Sequence, residues 1–239
     1  MAPPGSATSE VLWTGFYAGV NAGGGVDHFA FPYSLLVPAG NIEGHNGITA
    51  DGPFGGLQAG YNYELPFYPI VAGIEIDAGG SGISGETTAY SALSSGRPVA
   101  AIFGSRFLDF GTARVRLGYS YGRFLPYLTA GLSFATSETF YNLASPGFFA
   151  SQSSTVTRSG IFPHVGAAGI GLEYAATDQL SLKVEYLYDF INARSVIFNP
   201  SPASTVQFNT RTMYHLARIG LNYHFDWLPS FSESVAPRH

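Results

Sequence analysis

Bulky apolar residues alternate with small, polar or charged residues over many short segments of this chain. Between residues 180 and 190, for example, Leu182, Val184 and Tyr186 occupy one face of an extended chain, and Lys183 and Glu185 occupy the other. A period of two residues is typical of β-strands whose two faces meet different environments. The alternation predicts eight strands, over residues 13–24, 54–65, 70–80, 104–121, 126–137, 161–175, 180–198 and 205–225.

One short ending recurs in four of these segments. A glycine is followed three residues later by a tyrosine at 60–63, 118–121, 171–174 and 220–223, and the tyrosines lie 58, 53 and 49 residues apart. A regular period of this size indicates repetition of one supersecondary unit. Because each period holds two predicted strands, the repeated unit is a β-hairpin.

The predicted connections alternate between short and long. Four-residue turns fall at 66–69, 122–125 and 176–179, whereas long or extended loops cover 25–53, 81–103, 138–160 and the region around 199–204. Short turns at one end and long loops at the other are typical of outer-membrane barrels. We expect an eight-stranded antiparallel up-and-down barrel over residues 13–225, with extracellular loops, a periplasmic tail at 1–12 and a periplasmic extension at 226–239.

The composition agrees with a membrane barrel and excludes several other classes. Only 11% of the residues are charged, against roughly 25% in soluble domains. The chain contains no apolar run of about 18 residues, so transmembrane helices are not expected. The net charge of -5 and the lack of a basic run argue against nucleic acid as a partner. The absence of cysteine excludes disulfides and thiolate metal sites.

The charged residues of the predicted strands keep to one face, which we assign to the barrel interior. An eight-stranded barrel is just wide enough for its own side chains to fill it, and an unpaired buried charge is costly. The pattern therefore predicts an interior charge network without a wide channel, in which Glu75 or Asp77 pairs with Arg114 or Arg116 on the neighbouring strand. The predicted network consists of Glu75, Asp77, Arg114, Arg116, Glu173, Lys183, Glu185 and Arg218.

Aromatic residues cluster beside the short turns. Amphipathic rings favour the headgroup level of a bilayer, where they form a girdle around a barrel. Selection for β-propensity alone would explain aromatic residues in strands but not their clustering at one end. The predicted periplasmic girdle consists of Trp13, Tyr63, Tyr121, Tyr174, Tyr223 and Trp227.

Four segments of the chain resemble the small outer-membrane β-barrels of alpha-proteobacteria, the OmpA-like or opacity-protein-like surface proteins. They are WTGFYAGVNAGG at 13–24, PYLTAG at 126–131, LSLKVEYLY at 180–188 and RIGLNYHF at 218–225. The resemblance implies insertion by the barrel-assembly machinery through a last strand that ends in aromatic residues, here Tyr223 and Phe225. The family usually ends at this point, but this chain continues to His239.

The resemblance also bears on the N-terminus. Residues 1–6 lack the features of an export signal, so we expect a mature chain that begins at Ala2. Some members of the family are tied to peptidoglycan through an N-terminal alanine, which makes Ala2 a candidate tether. The chain is too short for the separate peptidoglycan-binding domain of larger OmpA proteins.

The sequence assigns no catalytic residue, cofactor or metal site. None of the histidines has a recognised zinc spacing, although His28 and His45 share one long loop and could contact a heme-like ligand. Some eight-stranded barrels modify lipid A with a serine and a histidine near the outer rim, and Ser159 with His164, or Ser195 with Tyr214, are the candidates here. No motif marks either pair as catalytic.

The predicted loops carry aromatic residues that are candidates for contacts, because exposed aromatic patches tend to mark interaction sites. They are Phe29, Phe31, Tyr33, Phe148, Phe149, Phe198 and Phe208. Packing of the loops on themselves is the alternative. We expect a structural outer-membrane protein that contacts lipids and lipopolysaccharide and binds neighbouring outer-membrane proteins, another copy of itself or a host surface. The alternatives are a narrow porin or ligand-binding barrel and a lipid A-modifying enzyme.

Overall fold

The computed structural model describes residues 13–37, 40–92, 98–145, 149–201 and 204–225, and these form nine β-strands. The strands are β1 (Gly15–Val37), β2 (Gly40–Glu64), β3 (Ile70–Ser81), β4 (Ser84–Ala92), β5 (Pro98–Tyr119), β6 (Phe124–Ser145), β7 (Phe149–Ala175), β8 (Leu180–Ser201) and β9 (Ser204–Phe225). Within these ranges no helix is long and apolar enough to cross a membrane.

The nine strands close into an antiparallel barrel with eight positions around its circumference, which we call staves. β3 and β4 share one stave, and each other strand forms its own. Each stave pairs with the next along the chain, and β9 pairs back with β1 from Phe16↔Phe225 to Leu36↔Thr205. The ninth strand, β4, continues the stave of β3 after a break at Gly82 and Ile83. There the Gly82 amide donates to the Pro53 carbonyl at 2.9 Å, and the Phe107 amide donates to the Ile83 carbonyl at 2.9 Å. The predicted eight-stranded barrel is confirmed.

The strands are longer than the sequence pattern predicted. The segment 25–53 was predicted to be a loop, but β1 and β2 pair continuously from Gly15↔Asn62 to Val37↔Gly40. The predicted loops at 81–103 and 138–160 are likewise mostly strand. Backbone hydrogen bonds hold these hairpins together also where glycine and polar residues interrupt the alternating pattern, as between residues 40 and 53. We call this end of the barrel the long-hairpin end and the other the short-turn end.

The long hairpins separate into two four-stranded leaves. Over the described residues, the ladder between β7 and β8 stops at Val165↔Ile191, and the register pairing of β2 with β4 is limited to Asp51↔Ser84, next to the close contact of Gly85 with Thr49 and Ala50. Beyond these points β4, β5, β6 and β7 form one leaf, and β8, β9, β1 and β2 form the other. The two boundaries, which we call the β2–β4 seam and the β7–β8 seam, lie on opposite sides of the barrel.

The two faces of the staves differ as the alternation predicted. In the half of the barrel nearer the short-turn end, large apolar side chains point outward, and each is more than two-fifths exposed. Contact with lipid requires this arrangement. These side chains include Val20, Leu57, Ile74, Ile76, Val115, Leu117, Leu128, Leu132, Ile170, Leu172, Leu182, Val184, Ile219 and Leu221. The opposite face encloses the interior.

Two inward-facing glycines allow β2 and β3 to approach closely. Gly56 and Gly79 are register partners, and a Cβ atom built on Gly79 would lie 2.1 Å from the Gly55 carbonyl oxygen and 2.6 Å from the Gly56 Cα atom. A Cβ on the next residue, Gly80, would have its nearest neighbour 4.0 Å away. Gly79 therefore excludes a side chain, whereas Gly80 has room for one.

We expect Gly79→Ala to destabilise the barrel by about 1 to 3 kcal/mol, because the added methyl group forces β2 and β3 apart. Urea unfolding in detergent micelles measures this loss. Gly80→Ala is the matched control and should be nearly neutral. Equal stabilities of the two variants would contradict the close approach of the strands.

Candidate functional site

The barrel interior brings together all eight side chains of the predicted charge network. They come from five staves: Glu75 and Asp77 on β3, Arg114 and Arg116 on β5, Glu173 on β7, Lys183 and Glu185 on β8, and Arg218 on β9. All eight are buried. Four acids meet four bases, so the set has a net charge of zero.

Glu75 is the centre of this network. Its carboxylate forms an ion pair with Arg114 and accepts hydrogen bonds from Lys183 Nζ at 2.9 and 2.8 Å and from Arg218 Nη2 at 3.2 Å. Arg116 Nη1 lies 3.6 Å from it. One carboxylate is thus surrounded by four cations from three other staves.

Two further acids pair with Arg114 and Arg218, whose positive charge Glu75 alone does not neutralise. Glu185 accepts from Arg114 Nη1 at 3.0 Å and from Arg218 Nε at 2.5 Å. Asp77 accepts from Arg114 Nη2 at 3.0 Å and from Arg218 Nη1 at 3.1 Å. Each of these arginines therefore faces three carboxylates, and this sharing offsets the desolvation cost of the buried charges.

The fourth acid, Glu173, neutralises Arg116 nearer the short-turn end. Arg116 Nη2 donates to it at 2.6 Å, Ser181 Oγ at 2.5 Å and Asn222 Nδ2 at 2.7 Å. A chain of amides continues across the lumen, since Gln58 Nε2 donates to Asn222 Oδ1 at 2.5 Å. Neutral hydrogen bonds thus extend the network to β2.

Two tyrosines complete the network, and the sequence reasoning missed them. The Tyr17 hydroxyl donates to Glu75 at 2.8 Å and accepts from Arg116 at 3.0 Å. The Tyr127 hydroxyl donates to Glu185 at 3.0 Å, and its ring lies 4.0 Å from the Arg116 guanidinium carbon. The inward phase of their strands could have identified both, because each alternates with outward apolar residues.

An apolar plug lies below the network at the short-turn end. It consists of Trp13, Val71, Leu125 and Ala175, all buried. The prediction that Trp13 belongs to the outward girdle is wrong: only 1% of its surface is exposed, and its ring meets His224 edge-on at 6.0 Å. Trp13 has the same phase as the inward Tyr17 in the predicted strand 13–24, and the barrel mouth at the short-turn end gives it apolar partners.

A second apolar layer lies above the network. The break at Gly82 turns Ile83 inward, where it meets aromatic side chains such as Phe107 and Tyr214, whose rings are 4.5 Å apart. The cavity in this layer measures only about 20 Å³, which is room for one water molecule. Apolar side chains thus lie on both sides of the charged middle of the barrel.

A serine, a histidine and a glutamate also meet near the short-turn end, but not as a catalytic triad. Ser181 Oγ lies 3.0 Å from His224 Nε2, and the same nitrogen lies 3.6 Å from Glu173 Oε1. In a triad the two ring nitrogens serve different partners and the serine faces the substrate. Ser181 is instead fully buried and donates to Glu173, so these residues hold the structure together.

The candidate pairs for lipid A chemistry are not supported by the fold. Ser195 pairs with Asn209, and Tyr214 lies five residues further along β9, which is about 17 Å of extended chain. Ser159 and His164 are also five residues apart on one strand, β7, and the structure does not describe their side chains. Among the described residues, no three His, Asp or Glu side chains are arranged to hold a metal ion.

The remaining predicted residues are distributed as follows. Tyr121, Tyr174 and Tyr223 are exposed at the short-turn end, Tyr63 there is half-buried, and Phe225 ends β9 opposite Phe16 of β1. The candidate contact residues Phe29, Phe31, Tyr33, Phe149, Phe198 and Phe208 lie on hairpin strands rather than in loops. Ala2, Phe148 and Trp227 lie outside the described residues, and the side chains of His28 and His45 are not described.

Comparison with known proteins identifies the class to which this closed, outwardly apolar barrel belongs. Residues 1–225 match the family of outer membrane protein beta-barrel domains. The chain therefore belongs to the outer-membrane β-barrel family, which places it in the bacterial outer membrane.

Among similar proteins are the 31 kDa outer-membrane immunogenic proteins of Brucella melitensis biotype 1 and Brucella suis biovar 1. Each is 32% identical over 227 residues, which cover 94% of this chain and 88% of the relative. The resemblance to alpha-proteobacterial barrels is thus confirmed.

Solved structures with a similar fold include OprG from Pseudomonas aeruginosa, at 12% identity and a TM-score of 0.48, covering 90% of this chain and 99% of that one. The outer membrane protease OmpT from Escherichia coli has 10% identity and a TM-score of 0.44, covering 87% and 97%. Neisserial surface protein A has 14% identity and a TM-score of 0.34, covering 84% and 97%.

Proposed function

We propose that this chain is a structural outer-membrane protein that contributes to envelope integrity and presents its two leaves for surface interactions. The observation that carries this proposal is the filled interior, in which a neutral network of buried ion pairs lies between two apolar layers. A porin requires a lumen lined by water, and an enzyme requires reactive groups that substrate can reach. The described interior offers neither.

In the orientation that we propose, the leaves are extracellular and both termini are periplasmic. This orientation is supported by the contrast between the short turns and the long hairpins. It places Tyr121, Tyr174 and Tyr223 at the periplasmic headgroups, and it leaves Tyr223 and Phe225 at the end of β9 as the signal for the barrel-assembly machinery. Ala2 would then be a candidate link to peptidoglycan.

The outward face and the leaves define the proposed partners. Membrane lipids and lipopolysaccharide cover the exposed apolar band, and neighbouring outer-membrane proteins, another copy of the chain or a host surface bind the leaves. Immunogenicity is part of the name of the Brucella relatives, and by analogy we infer surface exposure for this chain. A narrow porin, a heme-binding barrel and a lipid A-modifying enzyme remain alternatives that no observation on the described residues favours.

Deletion of the gene in the source bacterium tests the proposal. We expect greater sensitivity to detergent, more leakage of periplasmic protein, and the loss of cross-linked surface complexes. A variant in which residues 30–47 are replaced by a two-residue Asn-Gly turn can keep the pair Phe29↔Ile48 in register, and it should restore envelope integrity without restoring every complex. Unchanged integrity and unchanged complexes after deletion, or a changed lipid A mass, would contradict a structural role.

A further inference from the structure

The β2–β4 seam exposes two strand edges at the long-hairpin end. From Glu86 to Ala92, β4 pairs with β5 on one side, and over the described residues no ladder joins its other side to β2. Residues Gly40 to Ile48 of β2 likewise pair with β1 alone. Beyond the contact of Gly85 with Thr49 and Ala50, each edge therefore carries a row of backbone N–H and C=O groups that no described ladder between the leaves pairs.

The edge of β4 carries few of the features with which proteins usually protect exposed strands, and Glu86 is its one charged residue. Lysine, proline and bulges commonly block the addition of another strand, but the β4 sequence SGETTAYSA has none of these residues. Its exposed side chains Thr88 and Tyr90 are types that favour strand pairing. The stretch from Glu86 to Ala92 is about 24 Å long, enough for a partner segment of about seven residues.

The charge of the seam selects among extended partners. Residues 40–51 and 84–92 contain the acids Glu43, Asp51 and Glu86 and no lysine or arginine. The corresponding residues of the β7–β8 seam, 149–161 and 194–201, contain Arg158 and Arg194 and no acid. The two seams thus have the same edge chemistry and opposite charge, so a basic segment is attracted only to the first.

We propose that the β2–β4 seam binds an extended, basic polypeptide segment of a partner protein, which adds to the free edge of β4 as an additional strand. Backbone hydrogen bonds supply the affinity, and the acids select the partner. This inference rests on the proposed surface function, because it names the site and the chemistry of one such interaction. It requires no rearrangement of the sealed interior below.

Peptide binding to the full chain in zwitterionic detergent micelles tests the proposal. The probe is a fluorescent nine-residue peptide of alternating lysine and valine, and its controls are a glutamate–valine peptide and a lysine–valine peptide methylated on every backbone nitrogen. We expect anisotropy to show binding of the first peptide only, with both controls at least about tenfold weaker. Amide hydrogen exchange should slow at residues 86–92 when the first peptide is bound.

Substitutions locate the site. Asp51→Asn combined with Glu86→Gln should weaken the lysine–valine peptide about three- to tenfold, whereas Asp178→Asn removes an exposed acid from a short turn and should leave affinity unchanged. Equal binding of the methylated peptide, or protection that does not include β4, would overturn the proposal. Surface complexes that persist while the peptide fails would reject this site alone and leave the proposed surface function intact.

Discussion

Glu75→Gln is expected to lower the free energy of unfolding of the barrel by about 3 to 5 kcal/mol, because it removes one partner of a buried ion network. Glu75 lies among Arg114, Arg116, Lys183 and Arg218. Without its charge, the interior set holds four cations and three acids. These groups are buried, so the folded state bears the cost of the excess charge.

Urea unfolding of the folded barrel in detergent micelles measures this effect. Asp178→Asn is the matched control, since Asp178 and Arg123 form an exposed pair at 3.5 Å and such pairs contribute less than about 1 kcal/mol. Adding Lys183→Met to Glu75→Gln restores neutrality and should recover about 1 to 3 kcal/mol. Two results would contradict the claim that charge balance stabilises the interior. One is a loss of stability for Glu75→Gln as small as that of the control, and the other is a double variant that is less stable than Glu75→Gln.

Trp13→Ala should destabilise the barrel by about 3 to 5 kcal/mol, the usual cost of removing a buried large aromatic side chain. Trp13 is the largest side chain of the plug that it forms with Val71, Leu125 and Ala175. Its loss leaves an apolar cavity directly beneath Glu173 and exposes that end of the network to water. The same unfolding measurement gives the magnitude of the loss.

Tyr121→Ala is the comparison that separates the plug from the outward aromatic ring. Tyr121 lies at the same end of the barrel, but 73% of its surface is exposed, so its removal creates no cavity. We expect a much smaller loss of stability than for Trp13→Ala. If Tyr121→Ala were the more damaging variant, Trp13 would have to act at the membrane surface, as its sequence context first indicated.

In the half of the barrel nearer the short-turn end, the outward and inward faces of the strands were predictable from the sequence. Lipid requires an apolar outward face, so alternation assigned residues such as Val184 and Lys183 to opposite sides. Once the strands were inferred to close into an eight-stranded barrel, the charged residues on their inward faces had to lie close to one another. The identity of each pair did not follow, because contacts such as Glu75 with Lys183 cross the lumen and depend on the register of several staves.

The structure of the long hairpins was not predictable on the same grounds, whereas the direction of Trp13 was. Trp13 shares the inward phase of Tyr17 in the predicted strand 13–24, but an aromatic residue beside the short turns fits both a headgroup region and an apolar plug. In the long hairpins backbone pairing continues without a regular alternation, so strands such as Gly40–Glu64 extend into segments rich in glycine and polar residues. The break at Gly82 and the division into two leaves depend on backbone pairing that leaves no periodic mark in the sequence.

Single-channel recording in planar lipid bilayers tests most directly the claim that this barrel is filled by its own residues. Insertion is verified independently by protease protection of the reconstituted protein. The account predicts a quiet baseline without discrete current steps, because the ion network and the two apolar layers leave no continuous water path. Stable current steps of uniform size from the folded, inserted chain would contradict a filled interior and would favour a narrow porin.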